Sequence, residues 1–213
     1  MEREVAEILL GIKAVTLRAN PPYEWASGIL APIYVDNRML MSYPAERKTI
    51  VKCLAGVIEN MGIKPYVIAG VATSGIPWAA WVADSLAKPM VYVRPNAKDH
   101  GLKNLIEGEV ERGQHVLVIE DLISTGGSAV STIKTLREAG GVVENCLAIF
   151  TYEFKKSVQN FNEANCRLIT LSNFSTLVQV ASEMDYITKN EKENVLEWSK
   201  DPAGWGAPSK SSR

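Results

Sequence analysis

The chain has 213 residues, 46% of them hydrophobic, and a formal net charge of −1. That length suits one domain with a short appendage and a well-filled core, and the near-neutral balance offers no global attraction to nucleic acid or to a membrane surface. No apolar run reaches the length of a membrane span and the polar start Met1–Glu4 is not a signal segment, while three scattered cysteines (Cys53, Cys146, Cys166) without metal spacing read as reduced thiols; a soluble cytoplasmic protein is expected.

Val5, Ile8, Leu9 and Ile12 fall at helical spacing and predict an opening amphipathic helix, stopped by Asn20-Pro21-Pro22. Ile33 to Val35 predicts a short strand before Asp36-Asn37-Arg38. A helix follows Pro44 with Ile50, Leu54, Val57 and Ile58 on its apolar face, ending near Gly62. Tyr66 to Val71 reads as a buried strand, and Gly75 begins a helix whose face carries Ile76, Ala79, Ala80 and Ala83. Met90 to Val93 is the next strand, and the polar stretch from Pro95 to Arg112 is a long loop with room for a short hairpin. Val116 begins a further strand, Ala129, Ile133 and Leu136 mark the helix after it, and Gly140-Gly141 turns the chain into a strand from Val142 to Phe150. Strand and helix segments continue through Leu168-Ile169 and from Val178 to about Trp198. Strands alternating with helices predict an α/β domain over residues 1–200, with a mostly parallel central sheet covered on both faces; residues from Asp201 have the composition of a loose tail.

The segment from Val116 to Ser128, VLVIEDLISTGGS, concentrates the chemistry. An apolar strand delivers two carboxylates, Glu120 and Asp121. Leu122 and Ile123 follow, and then Ser124, Thr125, Gly126, Gly127 and Ser128 turn into a helix. Glycines let backbone approach an anion, unpaired N–H groups at a helix start point at it, and hydroxyls add donors. The acids would repel a bare phosphate chain but suit sugar hydroxyls, so a phosphorylated sugar is the natural guest. Neither GxxxxGK[ST] nor GxGxxG is present. The pattern resembles the 5-phosphoribosyl 1-diphosphate (PRPP) loop of type I phosphoribosyltransferases.

Three further segments narrow the resemblance. Arg94, Lys98, His100 and Lys103 cluster in VRPNAKDHGLKN; alone this reads as a solvated basic loop, and beside a PRPP loop as a lid that brings cations onto a diphosphate. SGILAPIYVDNR from Ser27 to Arg38 and GVATSGIPWA from Gly70 to Ala79 complete a set that is similar to the orotate phosphoribosyltransferases. The resemblance implies the type I phosphoribosyltransferase fold, with residues 1–45 as a small N-terminal hood over the base site. It implies Mg-dependent transfer of phosphoribose from PRPP to orotate in pyrimidine biosynthesis, with Mg²⁺ carried mainly by PRPP itself. Arg94, Lys98 and His100 would contact the diphosphate and serve catalysis, Glu120 and Asp121 the ribose hydroxyls, and Ser124 to Ser128 the 5-phosphate, with Leu122 and Ile123 in the same PRPP-binding run. Ala72, Thr73 and Ser74 would form the pyrophosphate loop, and Ser124 and Tyr34 would lie near orotate. A homodimer sharing its lid across subunits is also implied, with no nucleic-acid or membrane partner.

The chain departs from the pattern where many relatives hold a basic residue: Ala26, Ser74 and Pro95 stand at such positions. Tyr152-Glu153-Phe154 occupies the place where some use an arginine against orotate. Two alternatives stay open at this point, a purine phosphoribosyltransferase and a PRPP-sensing regulator without catalysis. His115 reads as a strand-entry residue, and Trp25, Trp78 and Trp81 as packing or dimer contacts.

Overall fold

The computed structural model describes residues 1–18, 21–25, 28–95 and 105–205. Lys98, His100, Lys103, Ala26 and Ser27 therefore lie outside the described residues. In chain order the elements are α1 (Glu2–Gly11), β1 (Val15–Leu17), β2 (Tyr23–Glu24), β3 (Leu30–Ala31), β4 (Ile33–Val35), a 3-10 helix (Asn37–Ser42), α2 (Pro44–Asn60), β5 (Val67–Val71), α3 (Gly75–Ser85), β6 (Met90–Val93), β7 (Ile106–Glu107), β8 (His115–Ile123), α4 (Gly127–Glu138), β9 (Val142–Thr151), α5 (Lys155–Glu163), β10 (Arg167–Asn173), α6 (Phe174–Glu183) and α7 (Lys189–Lys200).

Six strands form the central sheet in the order β10-β9-β8-β5-β6-β7. Five are parallel, and β7, a short strand in the segment expected as a loop, closes one edge antiparallel to β6. Alternation along β8 divides the core: Leu117 and Ile119 pack with α1, α2, α3, α6 and the N-terminal strands, while Val116 and Val118 pack with α4 and α5. A sheet buried on both faces explains the near-continuous apolar runs in its strands. No helix among the described residues is long and apolar enough to cross a membrane.

The N-terminal region is a separate layer of two small antiparallel pairs, β1-β4 and β2-β3, laid on the carboxyl-terminal side of the sheet. Aromatic rings fasten it. Trp25 lies 4.7 Å from Tyr152 and 5.6 Å from Trp198, centroid to centroid. Trp198 Nε1 donates to the Leu30 carbonyl at 2.9 Å, and the Val35 N–H donates to the Tyr152 hydroxyl at the same distance. Trp78 is fully buried, and Trp81 is partly buried with the Arg47 guanidinium 4.7 Å above its ring. Packing accounts for all three tryptophans singled out above. Trp205 also packs against the main core.

Two expectations need correction. The first helix stops at Gly11, well before the prolines, because Lys13 adopts φ 58° and the N–H groups of Lys13 and Ala14 return to the carbonyls of Leu10 and Leu9. Such a left-handed cap is usually glycine, so a lysine there gave no stop signal and β1 was missed. On α3 the inward face is Gly75, Trp78, Ala79, Val82 and Ala83, with Ala80 exposed. Burying the indole of Trp78 removes more apolar surface from water than a stripe of alanines, and it rotates the helix accordingly.

Candidate active site

The carboxyl ends of parallel strands are where open α/β sheets bind ligands, and here β5 and β8 run side by side toward the same loops. A cavity of about 330 Å³ lies between them, lined by Ala72, Thr73 and Ser74 from the loop after β5 and by every residue from Glu120 to Ala129. An adjoining cavity of about 290 Å³ shares Ala72, Gly127 and Ser128 and adds Arg94 and Pro95 at the end of β6. The structure thus gathers three segments widely separated in sequence. A larger hollow of about 410 Å³ sits at the amino ends of the strands, among Met61–Pro65, His115 and Arg167. It has no glycine-hydroxyl loop and no buried acid, so size does not identify the site.

Local geometry explains the cradle. Gly126 takes φ 80°, a left-handed turn that delivers Gly127 into the first turn of α4, and a Cβ there would stand 2.9 Å from the Phe161 ring. Asn160 Nδ2 holds the Thr125 carbonyl at 2.9 Å from behind. Across the cavity, a Cβ on Gly75 would meet the Ile119 carbonyl at 2.6 Å, so α3 approaches β8 as closely as backbone permits. The Ala72-Thr73 peptide bond is cis.

Glu120 and Asp121 are 6% and 9% exposed, and the Asp121 N–H donates to Glu120 Oε1 at 3.0 Å. Burial, then the neighbouring carboxylate, pushes the Glu120 carboxyl well above the usual range; burial also raises Asp121, against the hydrogen bond from Glu120 and the charge of Arg38. Hydroxyl donors or a cation reaching these buried acids would favour their ionised forms, against the effect of burial.

Arg94 Nη1 lies 3.6 Å from Glu107 Oε1, an ion pair longer than a hydrogen bond, at the cavity edge. Ser124 and Thr125 are half-buried and line the main cavity, whereas Gly127 and Ser128 face outward at its mouth. Tyr34 lines neither cavity; it is half-buried on β4, with its ring 5.7 Å from that of Tyr23 and its hydroxyl 3.3 Å from Arg38 Nη2. His115 opens β8 at the far end of the sheet, 3.6 Å from Glu144, away from the cradle.

Residue-by-residue reading missed Asn37, Asn160 and Phe161. Asn37 is 1% exposed, and its Nδ2 donates to the Asp121 carbonyl at 2.7 Å, joining the N-terminal layer to the acidic strand end. Its Oδ1 is buried without a hydrogen-bond partner. The Asp36-Asn37-Arg38 segment carried this signal, but only the fold shows which backbone group it reaches.

A strand-end acid pair, a glycine-hydroxyl loop on a helix start and a second loop facing it define a site for a phosphorylated sugar, and residues 38–183 match the phosphoribosyl transferase domain family. The chain is 49% identical over 202 residues to an orotate phosphoribosyltransferase of Coxiella burnetii, covering 95% of this chain and 97% of the relative. Among solved structures it is similar to orotate phosphoribosyltransferase from Aeropyrum pernix, with a TM-score of 0.74, 27% identity and coverage of 86% and 99% of the two chains. It is also similar to Leishmania donovani UMP synthase, with a TM-score of 0.81 and 26% identity, covering 93% of this chain but 42% of that longer one. The chain belongs to the phosphoribosyl transferase family and, within it, to the orotate phosphoribosyltransferases.

Proposed function

We propose that this cleft transfers phosphoribose from PRPP to a ring nitrogen of orotate, giving orotidine 5′-monophosphate and pyrophosphate in pyrimidine biosynthesis. The observation that carries the reading is the single cavity formed by Ala72–Ser74, the Glu120–Asp121 pair and the loop from Ser124 to Ser128. Backbone N–H groups and hydroxyls of that loop hold the 5-phosphate at the start of α4. Glu120 and Asp121 accept from the ribose hydroxyls, and Ala72, Thr73 and Ser74 face the diphosphate through their backbone. Arg94 stands on the diphosphate flank, and Lys98 and His100 complete the cation set and protonate the departing pyrophosphate. Ser124, with Tyr34 from the N-terminal layer, lies on the base side.

Bond exchange at the anomeric carbon builds positive charge on the ribose and negative charge on the leaving group, so the protein needs no nucleophile. Its contribution is alignment and charge stabilisation. The site fits Mg²⁺: two buried carboxyls lie beside a polar cavity, where an ion carried by substrate oxygens and water would be received by oxygen ligands. Magnesium would neutralise the diphosphate as its charge grows. Residues 1–200 act as one domain, in a homodimer whose lid serves the partner's site, and the free thiols of Cys53, Cys146 and Cys166 agree with a cytoplasmic protein.

The test is a spectrophotometric assay of orotate with PRPP, with and without Mg²⁺. Magnesium-dependent loss of orotate with stoichiometric pyrophosphate release is expected; saturable PRPP binding without orotate loss would refute the base assignment.

A further inference from the structure

Orotate differs from uracil by one ring carboxylate, so a site selective for it places a cation or hydrogen-bond donors at that group, and a cation gives the stronger, charge-assisted contact. This inference rests on the phosphoribosyl transfer to orotate proposed above. No lysine or arginine lines the main cavity among the described residues. Among the described residues, two arginines stand on its opposite flanks. Arg94 is on the β6 side, where the adjoining cavity opens. Arg38 is on the β8-β9 side, where Asn37 is bonded to the Asp121 carbonyl and Tyr152 to Val35, and its charge acts on Asp121. The strand end nearest that flank supplies no cation: Tyr152 and Phe154 are buried, and Glu153 Oε2 is engaged by the Ser175 N–H at 2.7 Å.

We propose that Arg38 is the specificity-determining residue for the base, its guanidinium receiving the orotate carboxylate beside the Tyr34 hydroxyl. The side chain is prepared for this. Asp36 Oδ1 accepts from Arg38 Nε at 2.6 Å and Asp36 Oδ2 from Nη2 at 2.8 Å, so one edge of the planar group is pinned. Nη1 has no protein partner among the described residues, and the side chain remains 54% exposed. A guanidinium held on one edge offers its other N–H groups at little further cost in side-chain entropy, and Asp36 keeps its plane fixed. Asn37, next in the chain, locks this short helix to the acid pair, which sets the spacing between the base cation and the ribose site.

Orotidine 5′-monophosphate and uridine 5′-monophosphate differ only in that carboxylate, and calorimetric titration of each reads the contact without turnover. The parent protein is expected to bind the first at least about tenfold more tightly, as suits a charge-assisted pair. Arg38→Gln should bring the ratio close to one while moving the affinity for uridine 5′-monophosphate less than about twofold, and Arg38→Lys, which keeps charge but not the planar fork, should fall between. Equal losses for both nucleotides in Arg38→Gln would overturn the proposal, because that is what a merely structural role predicts. A parent protein that binds both nucleotides equally would also overturn it while leaving the phosphoribosyl reading intact. A parent that binds neither would overturn the reading of the site itself.

Discussion

Replacing Asn37 tests the join between the N-terminal layer and the acid pair. The amide is buried, and its orientation is set because only Nδ2 can donate to the Asp121 carbonyl, 2.7 Å away. Asn37→Ala leaves that carbonyl buried and unpaired, which costs about 1–3 kcal/mol; losing the unpartnered Oδ1 offsets part of it, for a net of about 1–2 kcal/mol. For a chain of this size that is about 2–8 °C in Tm. Asn37→Asp keeps the shape but sets an acceptor against an acceptor, beside two more acids. Burial should then raise the new carboxyl's pKa. The penalty at pH 7 is bounded by the cost of holding it protonated, about 4 kcal/mol from a reference pKa of about 3.9, or roughly 8–16 °C. The sign follows: the extra destabilisation is absent below the ordinary carboxylate range and grows as pH rises toward the raised value. Thermal unfolding of parent and both variants between about pH 4.5 and 7.5 measures this. If Asn37→Asp is as stable as Asn37→Ala at neutral pH, or if the gap between them does not widen with pH, the buried bond is not as described.

The remaining predictions concern the cradle. Burial raises both Glu120 and Asp121, so the ligand-free fold binds more protons than the unfolded chain above the ordinary carboxylate range. Stability should fall as pH rises through that window, and Glu120→Gln should flatten the slope in urea titrations at several pH values. PRPP binding should release protons in the same window, seen as a buffer-dependent enthalpy, and Asp121→Asn should weaken it about 10–100-fold with the fold intact; unchanged binding would remove the ribose assignment. Gly75→Ala should push α3 away from the Ile119 carbonyl, lowering stability by about 1–3 kcal/mol and PRPP affinity with it, where an undisturbed Tm would contradict the close packing. Lys98→Ala should reduce kcat on the order of a hundredfold, and unimpaired turnover would take Lys98 out of the chemistry.

The run from Val116 to Ser128 was legible from residue order alone, because the strand, the acid pair and the glycine-hydroxyl loop are consecutive and their chemistry is local. The parallel strands and the helices behind Pro44, Gly75 and Gly127 were legible for the same reason, since periodicity and turn residues act over a few positions. What depended on distance in the chain was legible only through the family resemblance, or not at all. That likeness grouped Ala72–Ser74 and Arg94 with the PRPP loop, and β5, β6 and β8 lying adjacent in one sheet bring them to adjoining cavities. The end of α1 was hidden because a lysine occupies a position where glycine is the usual signal. Asn37, Asn160 and Phe161 carry no motif; each matters through one atom placed against a backbone group or ring far away in sequence. Residue order alone carries the chemistry of the phosphosugar loop and the class of fold around it. How the N-terminal layer meets that loop emerges in three dimensions, because the meeting is fixed by buried hydrogen bonds and aromatic packing between segments that share no local pattern.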